Sequence, residues 1–328
     1  MGSLCPCFRR HRVPRQRLSL NFESTERSEL EREPPTAPQS GFFADFGAES
    51  RRGMLASGEG LLRDLDAAEL PRLGESSARN IFNREAFVRF DAKPEGKEQL
   101  HLIFYRDLLG FDPLVVLFFE LNCDNLDSNL EEYTVLHTET GKDHLLICYL
   151  AKSKKVLVIQ PRVYFVIRYI RQYSGGSEVL DVQVSAEELG LQGVEEVRET
   201  LEKHRENLAT VHGIAARSRA VNGLTVRHSA AKTDPHSTLG LGIARPFLAG
   251  NLRKYVAKYA EEIELFYKER KYLDGRKVVW FDTDYEKLYQ RFIEQWEDNG
   301  NNQVDIGQRL DSRASSDDIV FEDKEGNI

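Results

Sequence analysis

Hydrophobic and polar positions divide this chain into a polar front, a patterned middle and a polar end. From Glu23 to about Ser77 the residues are mostly Glu, Arg, Ser, Pro and Gly, with EREPPTAPQS as the least foldable stretch and only Phe42, Phe43 and Phe46 interrupting it. Such composition buries too little apolar surface to offset chain entropy, so residues 1–77 are expected to be a disordered tail, with at most a short helix over 59–68. Alternation of period two begins near Ala78: Phe87, Arg89 and Asp91 share one face against Val88 and Phe90, and Leu100 to Tyr105 repeats the pattern. After Gly110, Asp112 and Pro113 provide an N-cap and a first-turn proline for the buried helix LVVLFFEL.

Four strands with turn punctuation follow, over 132–137, 144–150, 163–171 and 179–184, an antiparallel meander by their spacing. At Ala186 the period changes, and Val194, Val197, Leu201, Leu208 and Val211 fall on one face of a helix, so 186–212 reads as a helical insertion. Strands over 214–220 and 224–231 flank Asn222-Gly223, the strongest short hairpin signal. A Gly-rich loop then precedes the longest helix, whose Leu248, Leu252, Tyr255, Val256, Tyr259, Ile263 and Phe266 form an apolar stripe that must lie on the inner face of the sheet. A last amphipathic helix over 284–297 is expected to pack outside the main fold, and residues 301–328 form a disordered acidic tail in which Ser315-Ser316 before Asp317-Asp318 resembles an acidophilic kinase site. The fold class is therefore α+β, with one domain over 78–271 and a helical extension over 272–300.

Composition narrows the function classes. The 328 residues carry a net charge of −8, which argues against a general nucleic-acid binder. Of four cysteines, Cys123 and Cys148 lie in apolar runs, as small buried hydrophobes in a reducing compartment do. No run approaches the ~20 apolar residues of a membrane span, and the start lacks the apolar region of a secretory signal. The eight histidines show no metal-ligand spacing, so neither metal nor cofactor is expected. GxSxG, P-loop and GxGxxG motifs are absent from the sequence, and no catalytic residue is assigned.

The first seventeen residues, MGSLCPCFRRHRVPRQR, combine Gly2 behind the initiator Met, Cys5 and Cys7, and five arginines with no acid before Glu23. Gly2 is a myristoylation candidate, although Pro6 stands where that motif takes Ser or Thr, and Cys5 and Cys7 are palmitoylation candidates. One acyl chain together with a basic patch suffices for stable anchoring on an anionic surface. The expected location is cytoplasmic, peripheral to the cytosolic face of a membrane. The other reading of this run is an ordinary basic leader.

A short helix, a meander, a terminal hairpin and a long C-terminal helix describe a helix-grip fold, and specific residues resemble the START lipid-transfer family. The family's Pro-Arg-Asp-Phe-Val-x-x-Arg strand has its counterpart in Pro161-Arg162-Val163-Tyr164-Phe165-Val166-Ile167-Arg168, with Val163 in place of the aspartate. Its last strand leads to an Asp-Pro loop, as Thr225 to His228 leads here to Asp234-Pro235, and the similarity covers residues 86–271. A tryptophan-aspartate usual in the family is absent here, and the insertion is foreign to it. The resemblance implies a lipid, phospholipid or sterol, held between the sheet and the long helix, with the Asp234–Pro246 loop as its lid.

The cavity and lid candidates are Tyr149, Tyr164, Arg168, Arg227, Asp234, Leu239, Leu241, Ile243, Phe247 and Tyr255. Apolar loop residues are costly unless they cover something, either a cavity or an ordinary core. Arg168 and Arg227 lie mid-strand in apolar surroundings. Either can point inward to a lipid phosphate or carboxylate, though outward exposure is the commoner state of arginine. Two other readings stand beside lipid binding: a cyclase-like or hydrolase-like enzyme on the same fold, and a signalling or scaffold protein with a collapsed cavity whose 186–212 insertion and last helix recruit partners.

Overall fold

The computed structural model describes residues 46–65, 70–78, 81–92, 99–123, 126, 130–155, 161–191, 194–236, 241–268 and 278–301. Nine strands form one antiparallel sheet: β1 (Arg72–Ala78), β2 (Phe82–Ala92), β3 (Gln99–Leu109), β4 (Leu130–Thr140), β5 (His144–Ser153), β6 (Val163–Tyr173), β7 (Glu178–Ser185), β8 (Thr210–Val221) and β9 (Leu224–Asp234). Their spatial order is β1-β2-β3-β9-β8-β7-β6-β5-β4. The meander thus runs from β4 to β8, and the β8–β9 hairpin closes it onto β3. At that hairpin Asn222 and Gly223 have φ of 52° and 78°, the left-handed pair that a two-residue turn between twisted strands requires.

Helices cover both faces of the middle of the sheet, so β5, β6 and β7 are buried almost continuously along their length, while β1 and β4 stay half-exposed. On the inner face Leu145, Ile147, Tyr149 and Ala151 of β5 meet Val166 and Ile170 of β6 and three helices: α2 (Pro113–Asn122), α4 (Leu241–Lys268) and α5 (Glu286–Asn301). On the outer face Leu146 and Cys148 pack with Phe165, Ile167 and Tyr169 beneath α1 (Ala48–Asp64). This arrangement is the α+β helix-grip fold expected from the sequence: a curved antiparallel sheet against a long C-terminal helix. α4 lies on β1 and β2, where Leu252, Val256, Tyr259, Ile263 and Phe266 supply the anticipated stripe.

Four expectations need correction. The first concerns the polar front. Its last third is folded, because α1 and β1 occupy 48–64 and 72–78. α1 is polar on average, yet Phe46 and Met54 are buried on the outer sheet face and Leu61 and Leu62 pack there beside them. Gly58 sits so close to the sheet that a Cβ there would stand 2.5 Å from Val182 Cγ2. Gly58→Leu is expected to destabilise the fold by about 1–3 kcal/mol through overpacking, read as a lower urea midpoint, whereas an unchanged midpoint would mean that α1 does not dock.

The second correction is the insertion. Within 186–212 the α-helix among the described residues is α3 (Glu195–His204), while Leu208 bridges Val163 and Val211 belongs to β8. Those two residues match a helical period by chance, and strand pairing claims them. The third is the last helix, which joins the main core: Phe292 is fully buried against Phe111 and Phe266. The fourth is the lid. Residues 237–240, with Leu239, lie outside the described residues, and from Leu241 the chain is already α4 rather than loop. The tail candidates Gly2, Cys5 and Cys7 and the Ser315-Ser316 motif also lie outside the described residues.

Candidate functional site on the inner sheet face

Strand alternation places charged residues on the inner face at two positions. On β2, Arg84 lies between Phe82 and Ala86, and on β3, Asp107 lies between Tyr105 and Leu109, all on the side facing α2 and α4. Arg84 donates from Nε and Nη2 to the two Asp107 oxygens at 2.6 Å each. Arg227 of β9 donates to Asp107 at 2.9 Å and, through Nη1, to both Glu120 oxygens of α2 at 2.7 and 2.8 Å. Tyr255 of α4 closes the group from above, its ring 4.6 Å from the Arg84 guanidinium carbon. Two cations and two anions make the group neutral, the condition on which such charges tolerate removal from water.

Burial opposes the charged form of Asp107, but Arg84 and Arg227 outweigh it and hold the carboxyl below its ordinary value. The same pairing keeps both arginines charged despite their burial. Burial also pushes the hydroxyls of Tyr255 and Tyr259 upward, so both stay protonated donors. Tyr259 is fully buried and its Oη has no hydrogen-bond partner among the described residues. Its ring is tilted against Phe82 at 4.7 Å and edge-on to Phe119 at 5.1 Å.

The second network lies at the other half of the sheet. Arg168 of β6 donates to Asp181 of β7, with Nε at 3.0 and 3.1 Å from the two oxygens and Nη2 at 2.5 Å. Beside it, Tyr149 donates to Gln183 at 2.7 Å, and its ring stands 4.9 Å from that of Tyr133. Tyr133 is 44 % exposed, so this network reaches the surface.

The predicted residues therefore separate into groups. Arg227 and Tyr255 meet around Asp107, and Tyr149 and Arg168 meet around Asp181. Both arginines face inward, against the commoner state of an exposed strand arginine, because carboxylates wait for them there. Tyr164 is partly buried against the same inner core. Asp234 is buried at the end of β9 and accepts from the His236 backbone at 2.8 Å, apart from both networks. Leu241, Ile243 and Phe247 fall in the first turns of α4, with their side chains outside the described residues. Arg84, Asp107, Glu120, Asp181, Gln183 and Tyr133 were missed. A charged residue flanked at i±2 by apolar ones on a half-buried strand, as at Arg84 and Asp107, is the signal that would have found two of them.

Two histidines elsewhere on the sheet make stability depend on pH. Burial, partly offset by Asp234, pushes His101 down to about 4, and burial with Arg106 pushes His228 down to about 4. The unfolded chain protonates these rings near 6.5. Their contribution is whole above 6.5 and is lost as pH falls from there toward 4. The urea midpoint is expected to drop between about pH 7.5 and pH 5, with a shallower drop in His101→Leu, and a midpoint flat over that range would contradict both assignments.

Among the described residues no helix is long and apolar enough to cross a membrane. Nor does any group of three or more His, Cys, Asp or Glu among them suit a metal ion. No known family profile and no curated protein matches the sequence. Solved structures do match it. Human StAR-related lipid transfer protein 5 has a TM-score of 0.46 and 12% identity, covering 68% of this chain and 99% of that one. Human STARD10 has a TM-score of 0.40 and 13% identity, covering 69% and 85%. The human StarD13 (DLC2) lipid transfer and protein localization domain has a TM-score of 0.36 and 15% identity, covering 62% and 94%. These structural neighbours are StAR-related lipid transfer domains, the family that the Pro161 to Arg168 segment resembles.

Proposed function

We propose that this protein is a non-catalytic lipid-binding module that receives a lipid between the inner sheet face and α4, and that its basic N-terminal tail carries it to an anionic membrane surface. The observation that carries this reading is the unpartnered hydroxyl of Tyr259, fully buried beside the Arg227–Glu120 pair. A buried polar atom without a partner costs about 1–3 kcal/mol, so such an atom marks where a guest oxygen or a water would stand. The START resemblance supplies the class of guest. The Arg168–Asp181 network, reaching the surface at Tyr133, supplies a polar edge through which an amphipathic molecule would enter.

The test is native mass spectrometry with lipid extraction on the full chain after gentle lysis, beside Tyr259→Phe. A lipid at defined stoichiometry in the parent, weakened in the variant, supports the reading. A second reading has its own support: the aromatic rings of Phe82, Phe119, Tyr259 and Phe266 fill the space beneath α4 at 4.7 to 5.5 Å centroid separations. Under that reading the protein is a scaffold with a collapsed cavity. An empty protein that also takes up no fluorescent lipid would establish it in place of the first.

The tether is a separate proposal resting on Gly2, Cys5, Cys7 and the arginines that follow. Labelling with alkyne fatty acids is expected to fall in Gly2→Ala, in the Cys5→Ser/Cys7→Ser double variant, or in both. Labelling and membrane recovery unchanged in both would remove acylation from the account.

A further inference from the structure

On the outer face, opposite the networks just described, a groove of about 320 Å³ runs between α1 and β6, lined by Ala48, Arg51, Arg52, Leu55, Tyr169 and Arg171. Three of its six lining residues are arginines, and their compensation is unequal. Arg51 is matched: Nη2 donates to both oxygens of Glu139 at 2.7 and 3.0 Å. Arg171 is poorly matched: among the described residues its one carboxylate contact is Asp143 at 3.5 Å, and its buried Nε has no hydrogen-bond partner there. Arg52 is exposed and has no ion pair or hydrogen bond among the described residues. The groove therefore holds between one and two positive charges in excess, on planar forks that suit an oxyanion.

We propose that this groove binds a phosphate monoester. The charge of such a group, about −1.5 to −2 at neutral pH, meets the upper part of the excess that Arg52 and the weakly paired Arg171 leave, whereas a carboxylate or sulfate ester supplies a single charge. Its three terminal oxygens can accept from both guanidiniums at once. The apolar wall of Leu55, Ala48 and the buried Tyr169 ring faces the carbon side of the ester. Ala48, the first residue of α1, borders the groove, and no side chain caps that helix start.

The probes are phenyl phosphate and phenyl sulfate, titrated calorimetrically into the full chain, with vesicles to identify the source. Saturable phenyl phosphate binding is expected, with phenyl sulfate weaker. Arg52→Glu, an exposed position where folding is not at stake, should weaken phenyl phosphate about tenfold, and Arg171→Gln should act in the same direction. Phosphatidylcholine vesicles doped with phosphatidic acid are compared with vesicles doped with phosphatidylserine. The basic tail contributes to both, so preference for phosphatidic acid that disappears in Arg52→Glu assigns a lipid headgroup, and equal retention assigns a soluble ester. Absence of phenyl phosphate binding, or binding that neither substitution weakens, overturns the proposal.

Discussion

Asp107→Leu is expected to lower the unfolding free energy by about 3–5 kcal/mol, measured by urea denaturation at neutral pH, because it strands Arg84 and Arg227 in the interior without their shared anion. The Asp107 side chain is fully buried and accepts three hydrogen bonds from the two guanidiniums. Removing the anion alone changes a neutral group into one with net positive charge beneath α4. Removing Arg84 with it, as Arg84→Met/Asp107→Leu, deletes one cation together with one anion and leaves Arg227 paired with Glu120. The double variant should therefore lose less than the single one. Equal losses would mean that packing volume, and not charge balance, sets the cost.

The same group sets an acid limit. The folded value of Asp107 lies below its ordinary 3.8, so its contribution is complete above that pH and is lost as pH falls through the folded value. This window lies below that of His101 and His228, so acid unfolding should show two regions. The first belongs to rings that must take up protons, and the second to a carboxylate that must lose its charge.

Phe292→Ala should cost about 3–5 kcal/mol, the loss for a fully buried phenyl group plus the cavity it leaves. The ring stacks on Phe111 at 5.8 Å and meets Phe266 edge-on at 5.2 Å, so it joins the approach to α2 with the end of α4. Polar contacts frame the ring: Asn299 donates to the Gly110 carbonyl at 2.6 Å, and Gln295 and Arg291 both bind the Asp112 carboxylate. Asp112, expected to cap α2 with its side chain, gives that carboxylate to α5 instead and makes no cap hydrogen bond. Differential scanning calorimetry checks the prediction. A loss below about 1 kcal/mol would return α5 to the peripheral place that its sequence suggests.

What was legible in the sequence is what depends on local period and turn chemistry. The meander, the Asn222-Gly223 hairpin, α2 with its first-turn Pro113 and the stripe on α4 all follow from spacing along the chain, and with them the α+β class. Leu208 and Val211 show where that reasoning ends, since their spacing suits a helix and their neighbours in space make them part of the sheet. The candidate site was half legible. Arg168 and Arg227 stood out as charges in apolar strands, but their partners come from other elements: Asp181 at a separation of 13 residues, Glu120 at 107 and Asp107 at 120.

By itself the sequence determined the succession of strands after β1, the long helix and its apolar stripe, and the basic chemistry of the tail. The tertiary structure alone decided that a polar segment such as 48–64 folds, because an isolated helix of that composition is marginal in water and the sheet completes its burial. It also decided that Phe292 belongs to the core and that two arginines turn inward. A charge enters a protein interior only where an opposite charge already stands, and that is a property of contacts between distant residues, which no window along the chain contains.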